Sequence, residues 1–89
     1  VARYGGEEFA VLLPHTPVAK AAALAETLRQ RTKAMKIRNR KTHDVLLTVT
    51  LSAGVARKLP GDDASRLVAR ADAALYQSKQ GGRDRVTCA

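Results

Sequence analysis

A pair of adjacent glycines, Gly5-Gly6, flanked by Val1–Tyr4 on one side and by Phe9-Ala10-Val11-Leu12-Leu13 on the other, constrains this chain more than any other feature. Glycine adopts positive φ without steric penalty, which a tight β-hairpin needs at its corner. The two flanks therefore read as hairpin arms, and Pro14 stops the second because it cannot donate to a ladder. Two acidic residues, Glu7 and Glu8, sit on the same corner. Acidic residues at turns are commonly just solvated. Adjacent carboxylates on a rigid, exposed tip also suit a hard cation such as Mg²⁺, which takes oxygen ligands and one or two carboxylates plus phosphate.

Beyond Pro14, Thr16-Pro17 reads as an N-cap followed by proline at the first helical position. The helix from Val18 to Lys36 places Ala21, Leu24, Leu28 and Met35 on one face at helical spacing. Asn39–Asp44 is a polar loop. Val45–Ala56 reads as one long strand, with Leu47, Val49, Leu51, Ala53 and Val55 on one face and the small Thr48, Thr50, Ser52 and Gly54 on the other. Pro60-Gly61-Asp62-Asp63 makes a turn in which Asp62 or Asp63 caps the next helix. That helix, Ala64 to Gln80, buries Leu67, Ala71, Ala74, Leu75 and Val68, and Gly81-Gly82 ends it. Arg85–Cys88 leaves room for one short closing strand. The order of hairpin, helix, strand, helix and strand reads as an α+β fold, an antiparallel sheet with helices on one face. All of residues 1–89 fit in one small domain.

Three aromatics and no tryptophan leave a core of small side chains. No window approaches the ~20 apolar residues of a membrane span. A lone cysteine, Cys88, has no internal disulfide partner, which fits a reducing, cytoplasmic setting. The net charge of +8 raises a nucleic-acid reading. The basic run Arg29, Arg31, Lys33, Lys36, Arg38, Arg40 and Lys41 lacks interleaved aromatics, however, and cations near a helix C-terminus are favoured in any case. It reads as solvated surface or as a funnel for an anionic ligand, and nucleic acid is not expected as a partner. His15 and His43 have no Cys or His at zinc spacing. Ser52 has no histidine and aspartate arranged to make it a nucleophile.

The second half carries Arg70-Ala71-Asp72-Ala73-Ala74-Leu75-Tyr76-Gln77-Ser78-Lys79-Gln80-Gly81-Gly82-Arg83-Asp84. With Arg3–Phe9, and with Thr48–Ala56 between them, this resembles the GGDEF domain of diguanylate cyclases in its Glu variant. The family helix ends in Gly-Arg-Asn, and the match departs only at Asp84. The resemblance covers the whole chain and implies the C-terminal half of a palm-like nucleotidyl cyclase fold. The N-terminal strand and helices, with a metal-binding Asp, the guanine-recognising groups and an inhibitory Arg-x-x-Asp site, would lie upstream of Val1. The absence of an initial Met agrees with a longer parent protein.

The implied reaction condenses two GTP into cyclic di-GMP with release of pyrophosphate, with Mg²⁺ or Mn²⁺ as cofactor and a homodimer as the working unit. Gly5 and Gly6 would let the backbone approach the nucleotide. Glu7 and Glu8 would serve as metal-binding and catalytic carboxylates, Glu7 at the position that helps activate the 3′-hydroxyl. Lys79 and Arg83 would hold the β- and γ-phosphates, although as cations at a helix end they would be favourable without any ligand. Asp72 is expected to make structural hydrogen bonds. Asp84 should cost little, with its charge near Arg83 and Arg85. A runner-up reading is a regulatory module that binds GTP or a partner without catalysis. The 89 residues alone are expected to be weakly stable and inactive.

Overall fold

The computed structural model describes residues 2–5 and 8–89. Val1, Gly6 and Glu7 lie outside the described residues. Strands β1 (Ala2–Gly5) and β2 (Glu8–Ala10) form an antiparallel hairpin as expected, pairing Ala2 with Ala10, Arg3 with Phe9 and Gly5 with Glu8. The second arm ends at Ala10, where its ladder partner ends, and not at Leu13 before Pro14. A register shift between Arg3 and Gly5 bulges the first arm just before the corner, and bulges of this kind re-aim side chains near functional sites.

Helix α1 spans Val18–Ala34, and its start differs from the sequence reading. Pro17, with φ −59° and ψ 149°, is the capping residue and makes no side-chain cap. Thr16 is thereby one position too far out to reach the first helical N–H groups, and its hydroxyl donates to the Pro14 carbonyl at 3.1 Å instead. The helix also ends earlier than Lys36. Met35 takes an extended conformation, and Lys36–Arg38 forms β3, paired antiparallel with β4 (Val45–Thr48).

The inward face of α1 is not the leucine face. Leu24, Leu28 and Met35 are exposed, whereas Val18, Ala21, Ala22, Ala25, Arg29 and Thr32 are half-buried at helical spacing. This alanine stripe lies on the side packed against β5 (Ala53–Val55) and β6 (Val86–Cys88). Small side chains let helix and strands come close, which a leucine ridge would prevent.

The expected single strand over Val45–Ala56 is divided. β4 ends at Thr48 and β5 begins at Ala53, because their ladder partners, β3 and β6, stand at opposite ends of the run. β5 and β6 pair in parallel, Ala53 with Val86 through Val55 with Cys88. A parallel pair needs a crossover of a dozen residues or more, and helix α2 (Ala64–Gln80) supplies it. The class is α+β as read, with two antiparallel pairings and one parallel pairing among the described residues.

Both ends of α2 are set by local chemistry. The Asp63 carboxylate accepts from Arg66 N–H at 2.9 Å, so Asp63 is the cap. Asp62 instead accepts from Leu59 N–H at 2.8 Å and pairs with Arg70. At the other end Gly82 has φ 111°, its N–H bonds Lys79 O, and Arg83 N–H bonds Ser78 O. That pair of bonds is the Schellman stop, in which glycine takes the left-handed position at no steric cost.

The face of α2 turned to the sheet is built of small residues. Ala74 is 2 % exposed and Ser78 0 %. Gly54 of β5 lies so close beneath them that a Cβ there would fall 2.3 Å from Ala71 O and 2.3 Å from Leu75 N. Ser78 Oγ donates to Ala53 O at 2.8 Å and lies 2.7 Å from Thr87 Oγ1. Its single proton being used on Ala53, the Thr87 hydroxyl is left to donate to Ser78. Ser78→Ala is therefore expected to cost about 1–2 kcal/mol, the scale for stranding buried hydrogen-bonding groups, measured by urea denaturation. An unchanged midpoint would mean that water or local repacking replaces both bonds.

Candidate functional site

The hairpin corner and the C-terminal end of α2 meet. Glu8 opens β2 immediately after the corner, and Lys79 lies in the last turn of α2. Lys79 Nζ stands 4.0 Å from Glu8 Oε1, with both side chains partly exposed. A solvated pair at that distance adds little to stability, about 0–1 kcal/mol. Its significance is spatial: residues distant in sequence place a carboxylate and an ammonium at one site. Gly5 pairs with Glu8 across the hairpin. Gly6 and Glu7 lie outside the described residues.

Arg83 follows the Schellman glycine, exposed and in the left-handed region at φ 63°. Lys79 and Arg83 thus flank the helix stop from its two sides. One is a compact point charge and the other a forked donor, a complementary pair for phosphate oxygens. Among the described residues no group of three or more His, Cys, Asp or Glu comes together. Mg²⁺ bound with phosphates takes one or two protein carboxylates and fills its remaining positions with phosphate and water oxygens. The hard oxygen donor of Glu8 fits such an ion.

Asp72 is exposed and falls outside the Ala71–Ala74–Ser78 face that touches the sheet. Asp84 is not neutralised by its sequence neighbours. Its carboxylate accepts from Arg29 Nη1 and from Lys33 Nζ, each at 2.8 Å, across to α1. Arg29 is shared with Glu26 one turn earlier. Two members of the basic run are thus engaged in holding the turn after α2. Arg85 folds back on that turn, Nε donating to Arg83 O at 3.1 Å.

These contacts also shift acidities. Hydrogen bonds from Lys33 and then Arg29 hold the Asp84 carboxyl below its usual 3.8. The Leu59 N–H, followed by Arg70, does the same for Asp62, and Arg29 lowers Glu26. A carboxylate with a depressed folded-state pKa stabilises the fold fully above its unfolded value. That stability is lost as pH falls through the lower folded value. Thermal melts should be level from neutral pH down to about 5 and fall below about 4. The acid-side fall should be shallower in Asp84→Asn. An identical acid profile in that variant would exclude Asp84 from the linkage.

No helix among the described residues is long and apolar enough to cross a membrane. A family model described as "Diguanylate cyclase, GGDEF domain" matches residues 1–85. Diguanylate cyclase VdcA of Vibrio cholerae is 39 % identical over 84 residues, covering 94 % of this chain and 25 % of that protein. Diguanylate cyclase A of Treponema denticola is 44 % identical over 87 residues, covering 97 % of this chain and 23 % of that protein. In three dimensions the chain superposes on the GGDEF domain of DgcB from Caulobacter crescentus, solved in complex with c-di-GMP. The TM-score is 0.89 at 42 % identity, covering 98 % of this chain and 51 % of that one. The chain therefore spans about a quarter of the length of these curated relatives.

Proposed function

The chain belongs to the GGDEF domain family of diguanylate cyclases, and on that premise we propose that it carries the metal-carboxylate corner and the phosphate-binding helix end of an active cyclase. The reaction joins two GTP molecules. The 3′-hydroxyl of one attacks the α-phosphorus of the other, the bond to the β-phosphate oxygen breaks, and pyrophosphate leaves. The second half-reaction repeats this with the roles exchanged. The observation that carries the reading is the approach of Glu8 to Lys79 at 4.0 Å.

Lys79 and Arg83 neutralise the β- and γ-phosphates, so that charge building on departing pyrophosphate meets fixed cations. Gly5 and Gly6 keep the corner free of side chains, so the nucleotide can lie against the backbone. Glu7 and Glu8 would hold Mg²⁺ or Mn²⁺ at the corner, and Glu7 would help draw the proton from the 3′-hydroxyl. A divalent cation bound there would supply Lewis acidity to the phosphoryl transfer. One hairpin serves one GTP, so a symmetric reaction calls for a homodimer with the two sites face to face. The substrate places the reaction in the cytoplasm.

The 89 residues alone are proposed to be inactive. Phe9 is 67 % exposed and Leu12 79 %, and Ala74 is the only fully buried hydrophobic side chain among the described residues. So few buried apolar side chains make the 89 residues marginal on their own. The deciding experiment incubates the full-length protein with GTP and Mg²⁺ and separates products by chromatography. Cyclic di-GMP with pyrophosphate supports the reading. GTP binding without product would point instead to a regulatory nucleotide-sensing module.

A further inference from the structure

The turn that presents Arg83 is held from three directions. Arg83 N–H bonds Ser78 O at 2.9 Å, which ties it to α2. Asp84 N–H bonds Ser52 Oγ at 3.0 Å, which ties it to the segment entering β5. The Asp84 carboxylate is gripped by Arg29 and Lys33 of α1, each at 2.8 Å. Between these ties, Arg83 and Asp84 take successive left-handed conformations, φ 63° and 48°. Neither is glycine, and such a pair persists only where its surroundings impose it. Of the two residues, aspartate tolerates this region comparatively well and arginine does not. The conformation of Arg83 is therefore held in large part through its neighbour.

We propose that Asp84 is a positioning residue for Arg83: the grip of Arg29 and Lys33 on its carboxylate locks the turn after α2, so that α1 sets where the Arg83 guanidinium meets the terminal phosphates. This rests on the phosphate-binding reading of Arg83. Asp84 touches no nucleotide itself; its negative charge would repel phosphate, and it is withdrawn from that role by two cations. The latch joins residues 51 and 55 positions apart in sequence. Any shift of α1 against the β5–β6 pair would be felt at Arg83 first.

The test is a double-mutant cycle on GTP affinity in the full-length protein, read by displacement of a fluorescent GTP analogue. Asp84→Ala should weaken GTP binding about tenfold, and Lys33→Ala, which removes half of the grip from a half-exposed position, about threefold. In an Arg83→Ala background, adding Asp84→Ala should change affinity by less than about twofold, because the residue it positions is gone. Full additivity of the two substitutions, or unchanged affinity in both Asp84→Ala and Lys33→Ala, overturns the proposal. If Asp84→Ala proves too unstable to assay, Lys33→Ala with and without Arg83→Ala gives the same cycle. A wild-type protein that binds no GTP would remove the functional reading itself, a result distinct from binding that ignores Asp84.

Discussion

Replacing Glu7 and Glu8 together by alanine in the full-length protein is expected to abolish cyclic di-GMP formation. The loss should be at least on the order of 1000-fold, the upper scale for removing a single group that stabilises developing charge. Two carboxylates at a hairpin corner are the hard oxygen donors available there for Mg²⁺ or Mn²⁺. Folding should be nearly untouched, for two reasons. The hairpin is held by backbone pairing of Ala2 with Ala10, Arg3 with Phe9 and Gly5 with Glu8. The ion pair of Glu8 with Lys79, at 4.0 Å, is partly solvated. Circular dichroism and thermal melting should therefore match the wild type while chromatography finds no product. Product at the wild-type rate would move the metal chemistry off this hairpin.

Gly54→Ala should be the most damaging substitution for stability. In most strands alanine in place of glycine is neutral or helpful. Here the added carbon would fall 2.3 Å from both a carbonyl oxygen and an amide nitrogen of α2, and 2.9 Å from Ala74 C. All three are backbone atoms, so no rotamer change can clear the space. Helix and strand must separate. That would weaken the Ala74 contact and stretch the Ser78 bonds to Ala53 and Thr87. Overpacking of this kind typically costs about 1–3 kcal/mol and more where backbone must move, so about 3 kcal/mol is the expected floor. Activity should fall with it, because the displaced helix carries Lys79. A melting temperature within a degree of wild type would mean that α2 does not sit on Gly54 as described.

The remaining basic residues contrast with these sites. Arg38 Nη1 donates to His43 O at 3.2 Å, a local turn contact. Arg29 and Lys33, in the same run, are long-range structural partners. Counting charge along the sequence does not separate the two kinds, since both are cations in one polar stretch. What distinguishes them is the position of Asp84.

Much of this protein is written in short-range chemistry. The hairpin follows from Gly5-Gly6 between β-prone arms, and the start of α2 from an aspartate three residues ahead of a free N–H. The end of α2 follows from a glycine that can turn left-handed, and its buried stripe from apolar spacing near 3.6. Each signal spans only a few residues, so local steric and hydrogen-bonding preferences decide it. The candidate site residues Gly5, Glu8, Lys79 and Arg83 were legible only through motifs, since spacing alone says nothing of the 4.0 Å approach of Glu8 to Lys79.

Tertiary structure decided the rest. The Val45–Ala56 run is one strand by pattern, and it became two because ladder partners are supplied separately by Lys36–Arg38 and Val86–Cys88. The leucine face of α1 is the more apolar, yet the alanine face is the one turned to the β5–β6 pair, where close approach counts for more than side-chain volume. Ser78 looked unremarkable within its helix and proved the most buried residue described. Asp84 found its charges more than fifty residues away rather than beside it. Strand pairing, close packing and long-range ion pairs join groups whose distance in space does not depend on their distance along the chain, so they appear only once the elements have docked.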